Sequence, residues 1–147
     1  MTTPMKVIPG VSIGAYVIGM TRAEVRAQST AQVIPFRKTP MATRPTDDIR
    51  DMGVHVHYDA DDRCSVIEAW TPVPSRAAKL TIGDTELEGK TMLELRDVFG
   101  KLSIKSDTHD EGFEDASKGV GIYCHEFPSE DSLLDGVYVF RPRTNAA

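Results

Sequence analysis

The chain has 147 residues, a mass of 16.2 kDa and a formal charge of −5 at pH 7, with 40% apolar, 27% charged and 7% aromatic residues. A chain of that length buries roughly two thirds of its unfolded surface, so no disulfide framework or metal is needed to hold it together, and the composition excludes disordered and collagen-like chains. Two cysteines, Cys64 and Cys124, stand far apart with no Cys-x-x-Cys pairing, which speaks against a zinc ribbon and predicts free thiols.

The longest apolar runs, such as Ala15 to Ile18, fall far below the ~20 residues of a membrane helix. The start, Met1-Thr2-Thr3-Pro4-Met5-Lys6, carries no apolar leader, and a cytoplasmic bacterial protein without membrane contact is expected. Residues 1–46 hold Lys6, Arg22, Arg26, Arg37, Lys38 and Arg44 against Glu24 alone, so the acidic excess lies beyond them. The pI near 5.3 nevertheless speaks against a nucleic-acid binder.

In chain order, Val11 to Ile18 alternates and predicts a strand. Thr21 and Glu24 then form a capping box with Met20 and Val25 at staple spacing, which starts a short helix. Pro35, Pro40 and Pro45 punctuate the following loop, where only Val33 to Arg37 could pair, as an edge strand. A hairpin of Val54 to Tyr58 and Cys64 to Trp70, turned by Asp59-Ala60-Asp61-Asp62, comes next. Leu80 to Leu87 predicts another strand, and Thr91 with Glu94 caps a second helix whose stripe Met92, Leu95, Val98 and Phe99 ends at Gly100. Residues 106–118, with Asp107, Asp110, Glu111, Glu114 and Asp115 among glycines and polar residues, read as a mobile acidic loop that could steer a basic partner. A last hairpin joins Val120 to Phe127 with Leu133 to Phe140 through Pro128-Ser129-Glu130-Asp131.

Thr-x-x-Glu-aliphatic-Arg occurs at Thr21 to Arg26 and again at Thr91 to Arg96, each preceded by Ile-Gly (Ile13-Gly14, Ile82-Gly83) and a second glycine (Gly19, Gly89). Trp70 and Phe140 fall at the same 70-residue spacing. The expected fold is one α+β domain over residues 1–147, with two βαββ repeats, at about 7–72 and 78–141, forming an antiparallel sheet with two short helices on one face.

The run Ile18-Gly19-Met20-Thr21-x-x-Glu24-Val25 resembles the helix entry of small bacterial repeat proteins, the outer-membrane assembly lipoprotein family and the β-lactamase inhibitor proteins. The segment Gly53-Val54-His55-Val56-His57-Tyr58-Asp59 with Ile67-Glu68 is similar to bacterial immunity-type proteins. These resemblances imply an α+β fold and a role in binding another protein.

Strand alternation sorts the hairpins into two faces. Val54, Val56, Tyr58, Ser65, Ile67, Ala69, Val120, Ile122, Cys124, Val137 and Val139 form an aliphatic face suited to packing under the helices. His55, His57, Asp59, Cys64, Val66, Glu68, Trp70, Tyr123, His125, Phe127, Leu134, Tyr138 and Phe140 form the other, which is open if helices cover only the first. Exposed aromatics with polar tips suit a protein-binding surface, and His55, His57, Glu68, Trp70, Tyr123, His125, Tyr138 and Phe140 are its candidate residues. The competing reading makes the same aromatics a second core.

Catalytic motifs are weaker. His55-x-His57-x-Asp59, with Glu68 or Cys64 opposite, has the i, i+2 spacing by which a strand can chelate zinc. The stretch from Gly83 to Gly89-Lys90-Thr91 has one residue too many for a phosphate loop and carries three carboxylates, while Cys124 and His125 point to opposite faces. The expected function is non-catalytic protein binding, as an inhibitor or immunity-type protein with an unknown protein partner and no cofactor. The alternatives are a metal-dependent enzyme centred on His55 and His57, or a small-ligand carrier using the aromatic face.

Overall fold

A computed structural model describes residues 3–29, 31–42, 44–124 and 128–143. Among these residues thirteen strands and two helices follow in the order β1 (Met5–Ile8), β2 (Ser12–Ile13), β3 (Tyr16–Val17), α1 (Arg22–Gln28), β4 (Val33–Phe36), β5 (Thr46–Ile49), β6 (Val54–Tyr58), β7 (Cys64–Trp70), β8 (Leu80–Ile82), β9 (Thr85–Glu86), α2 (Met92–Lys101), β10 (Asp107–His109), β11 (Gly112–Asp115), β12 (Val120–Cys124) and β13 (Leu134–Phe140). The fold is a sheet-dominated α+β one, and no described helix is long and apolar enough to cross a membrane.

The strands form two sheets rather than the single one expected. The larger is antiparallel, in the order β10-β11-β12-β13-β7-β6-β5-β4, and the smaller runs β3-β2-β1-β8-β9 with β1 and β8 parallel. The division arises where Val11 to Ile18 and Leu80 to Leu87 were expected to be single strands. Gly14 (φ 58°) and Gly83 (φ 57°) adopt a left-handed backbone that reverses the chain, so each segment becomes a tight hairpin. The small sheet lies on the aliphatic face of the large one, with β2 against β7 and β13. Ile13, Leu80 and Ile82 thereby share one core with Val54, Val56, Ile67, Ala69, Val120, Ile122, Val137 and Val139.

Both helices begin as their capping boxes require. The Glu24 amide donates to Thr21 Oγ1 (3.2 Å) and the Thr21 amide to Glu24 Oε1 (3.1 Å), and Thr91 and Glu94 repeat the exchange at 3.3 and 3.1 Å. Val25 of α1 and Met92, Leu95 and Phe99 of α2 are buried in the common core. Arg22 and Arg26 tie α1 to the large sheet through fully buried Asp47, at 3.3 and 2.9 Å, and the Tyr58 hydroxyl donates to the same carboxylate at 2.8 Å.

The stretch 106–118, expected to be a mobile loop, instead holds the β10–β11 hairpin. Phe113 lies fully buried, its ring edge-on to Phe99 at 5.0 Å and beneath the Arg96 guanidinium at 4.9 Å. Buried Asp115 accepts from the amides of Lys105, Ser117 and Lys118. One aromatic and one capping carboxylate thus order a segment whose composition is that of a loop.

Candidate functional site

The hairpin alternation places side chains as expected over most of its length: His55 pairs with Glu68, Val56 with Ile67 and Val54 with Ala69. A bulge between His57 and Tyr58 shifts the register, so Tyr58 pairs with Cys64 and the thiol turns into the core instead of joining the histidine face. An irregularity between Tyr123 and Cys124 does the same to Leu134, which pairs with Cys124 and is buried.

Two cross-strand rows build the outer face of the large sheet. One is polar and runs through Asp48, His55, Glu68, Tyr138, Gly121 and Glu114. In the other, rings alternate with glycines: Trp70, Gly136, Tyr123, Gly112 and His109. The glycines give the rings room to lean toward each other. A Cβ on Gly136 would come 2.8 Å from Trp70 Cε3, and one on Gly121 would enter the Tyr138 ring. The result is a continuous ladder of rings: Phe36 to His55 at 5.1 Å, His55 to Trp70 at 6.1 Å, Trp70 to Tyr123 at 5.3 Å, Tyr123 to Tyr138 at 4.6 Å and Tyr138 to Phe140 at 5.9 Å.

Glu68 sits beneath this ladder with its side chain 3% exposed. Its Oε1 accepts from His57 Nε2 and from Lys38 Nζ (3.1 Å), and its Oε2 from the Tyr123 hydroxyl (3.0 Å). The other ring nitrogen of His57, Nδ1, lies 3.2 Å from the Thr46 hydroxyl. Burial alone would raise the Glu68 carboxyl, but His57, through both its hydrogen bond and its electrostatic interaction, and then the Lys38 ammonium override it and hold the group down to about 2. Burial, then the neighbouring Glu68 charge, pushes the Tyr123 hydroxyl up and keeps it protonated.

His55 is half-buried, and that burial lowers its pKa against the opposing pull of Asp48 and Glu68. Its Nδ1 accepts from Trp70 Nε1 at 3.4 Å, and its Nε2 lies 3.6 Å from Asp48 Oδ1. At the other flank the Tyr138 hydroxyl donates to Glu114 Oε1 (2.8 Å) and receives His109 Nε2 at 3.1 Å, while His109 Nδ1 takes the Glu111 amide.

Above these groups opens a concave cleft of about 860 Å³. Its floor is His55, Glu68, Trp70 and Tyr123, with Phe36 and Lys38 on one side and Thr108, His109, Asp110 and Glu111 on the other. Four of the expected site residues therefore meet at the cleft, and His57 supports it from beneath. Tyr138 and Phe140, expected on an open surface, are each only 7% exposed. His109 and Glu114 of the β10–β11 hairpin cover Tyr138, and the Arg143 guanidinium lies 4.7 Å over the Phe140 ring. His125 falls outside the described residues, as does Phe127.

Sequence reasoning did not single out Phe36, Lys38 and His109. Phe36 lies in the stretch Val33 to Arg37 expected as an edge strand and Lys38 just beyond it, whereas His109 lies in a segment whose composition is that of a loop.

The network around Glu68 fixes the state of its groups. Its carboxylate is ionised through the neutral range, its tyrosine is held protonated, and burial pushes the Cys64 and Cys124 thiols up to about 12 and 11, away from nucleophilic use. The imidazoles of His55 and His57 are both engaged in hydrogen bonds, and no cluster of three or more metal-ligating side chains occurs among the described residues. Compared with protein-family models, curated proteins and solved structures, the chain shows no significant match to any of them.

Proposed function

We propose that the protein is a non-catalytic protein-binding module of inhibitor or immunity type, holding a segment of its partner in the cleft on the outer face of the large sheet. The observation that carries this reading is the partly exposed Trp70, stacked on Tyr123 at 5.3 Å and fixed by a hydrogen bond to His55. Rigid aromatics with one polar tip give large contact area at small entropic cost, which is the character of binding hot spots. The Glu68 network beneath is already internally paired, so it holds the surface in shape before any partner arrives.

The module is read as two related units. In its support, Thr21 bridges to Arg63 and Thr91 to Leu133, so both capped helices start beside the entry to the same strand of their hairpin. The strand order of the large sheet mirrors itself about the β7–β13 pair.

The cleft volume of about 860 Å³ also favours a second reading, a small-ligand carrier, because it lies within the range of small-molecule sites. Affinity capture from the source cell lysate with native protein and with Trp70→Ala as baits, both verified as folded, tests the first. A protein retained by the native bait and lost with Trp70→Ala is expected; the same proteins on both baits would overturn the reading.

A further inference from the structure

Lys38 reaches from the loop after β4 across the cleft to place its ammonium 3.1 Å from Glu68 Oε1. The Lys38 side chain remains 49% exposed, whereas that of Glu68 is 3% exposed. A half-exposed cation therefore covers a buried anion. Among the described residues lining the cleft, Lys38 is the sole Lys or Arg, and it shares that lining with the carboxylates Glu68, Asp110 and Glu111. Acidic charge therefore exceeds basic charge around an aromatic floor.

We infer that the cleft recognises a lysine side chain of a polypeptide partner, and that Lys38 is the chain's own occupant of that position, exchanged for the partner's ammonium on binding. This rests on the reading of the cleft as a protein-binding site and supplies the chemistry of the partner.

The partners of Glu68 differ in how freely they can leave, and one acceptor position on Oε2 stays open for an incoming donor. A carboxylate offers about four acceptor positions. His57 and Lys38 occupy Oε1, and Tyr123 takes one position on Oε2. His57 and Tyr123 are anchored in the sheet, so Lys38, on a half-exposed side chain of a loop, is the one partner that can leave without disturbing it. An incoming ammonium keeps the buried anion paired throughout, whereas an apolar or anionic group would strand it. The methylene stem of the incoming lysine would lie along the rings of Trp70 and Tyr123, where an alkyl chain and a cationic end both interact favourably with aromatic faces. Asp110 and Glu111, both exposed at the rim, add long-range attraction for a basic segment.

Trp70 is the sole tryptophan of the chain and stands in the cleft, so its emission reports occupancy directly. The test titrates the full chain with a tetralysine peptide, the same peptide acetylated on every side chain, and n-butylammonium. Saturable change in Trp70 emission with tetralysine, and none with the acetylated peptide, is expected. Lys38→Met should tighten tetralysine by about threefold or more, because the competing occupant is gone. Lys101→Met, an equal change in net charge on the exposed end of α2, should leave the affinity within error. Glu68→Gln should weaken binding at least about tenfold.

Weaker binding by Lys38→Met, or equal tightening by Lys101→Met, would overturn the exchange. Equal binding of the acetylated peptide would overturn cation recognition. If n-butylammonium binds as tightly as tetralysine, the polypeptide assignment falls and the carrier reading replaces it. Cation binding by the cleft with no Trp70-dependent protein in the lysate would instead fail the protein-binding reading and the polypeptide source, and leave cation recognition with the Lys38 exchange standing.

Discussion

Trp70 and Tyr123 stack at 5.3 Å with their planes 11° apart, although the strands that carry them are separated by β13. The residue between them is Gly136, cross-strand partner of both. The stack exists because that position lacks a side chain.

Gly136→Val should therefore break the ladder. Its added atoms would meet Trp70 Cε3, which a Cβ alone already approaches to 2.8 Å. A loss of ~1–3 kcal/mol in urea denaturation is expected from overpacking, together with an altered Trp70 emission maximum. Unchanged emission would show that the rings do not share the space over Gly136.

The state of Glu68 makes a prediction about acid. Its carboxyl is held down to about 2, below its ordinary 4.5. A carboxyl with a depressed folded-state pKa stabilises fully above its unfolded pKa, and that contribution disappears as pH falls through the folded value. The native chain should lose ~2–3 kcal/mol from this group between about pH 5 and pH 2. Glu68→Gln should be less stable at pH 7 and lose less on acidification, as read from urea midpoints at pH 7 and pH 3. A parallel acid response of the two proteins would contradict the assignment.

Burial separates two aromatics that the sequence places on one face. Tyr138 is covered by the chain itself, whereas Trp70 is partly exposed. Tyr138→Ala should cost ~3–5 kcal/mol of stability and Trp70→Ala distinctly less. Equal losses in denaturation would place Trp70 in a second core and remove it from the binding surface.

The caps give a simpler test. Thr91→Ala deletes the acceptor for the Glu94 amide at the start of α2 and should cost ~1 kcal/mol. A urea midpoint unchanged within error would mean that the amide finds another partner.

Local signals in the sequence marked those elements whose cause is local. Thr21 with Glu24 and Thr91 with Glu94 announce both helices, and the alternation from Val54 to His57 announces its own burial pattern. The two-sheet division was less visible, since it depends on Gly14 and Gly83 adopting positive φ, which sequence alternation does not reveal. The β10–β11 hairpin is hidden for a different reason: its composition is that of a loop, and the Phe99–Phe113 contact that orders it joins residues from separate elements. The cleft was half legible. His55, Glu68, Trp70 and Tyr123 follow from alternation, but Lys38 and His109 arrive from the two edges of the sheet, and no local pattern predicts which edge residues meet across its centre.

The strand pairing also governs how the molecule comes apart. β1 of the first half is hydrogen-bonded in parallel to β8 of the second, while β7 and β13 pair at the middle of the large sheet. Each sheet thus takes strands from both halves, and neither half can melt while leaving its neighbour's strands fully paired. Unfolding is then a single cooperative event, in which Trp70 emission and far-ultraviolet dichroism follow one denaturant curve.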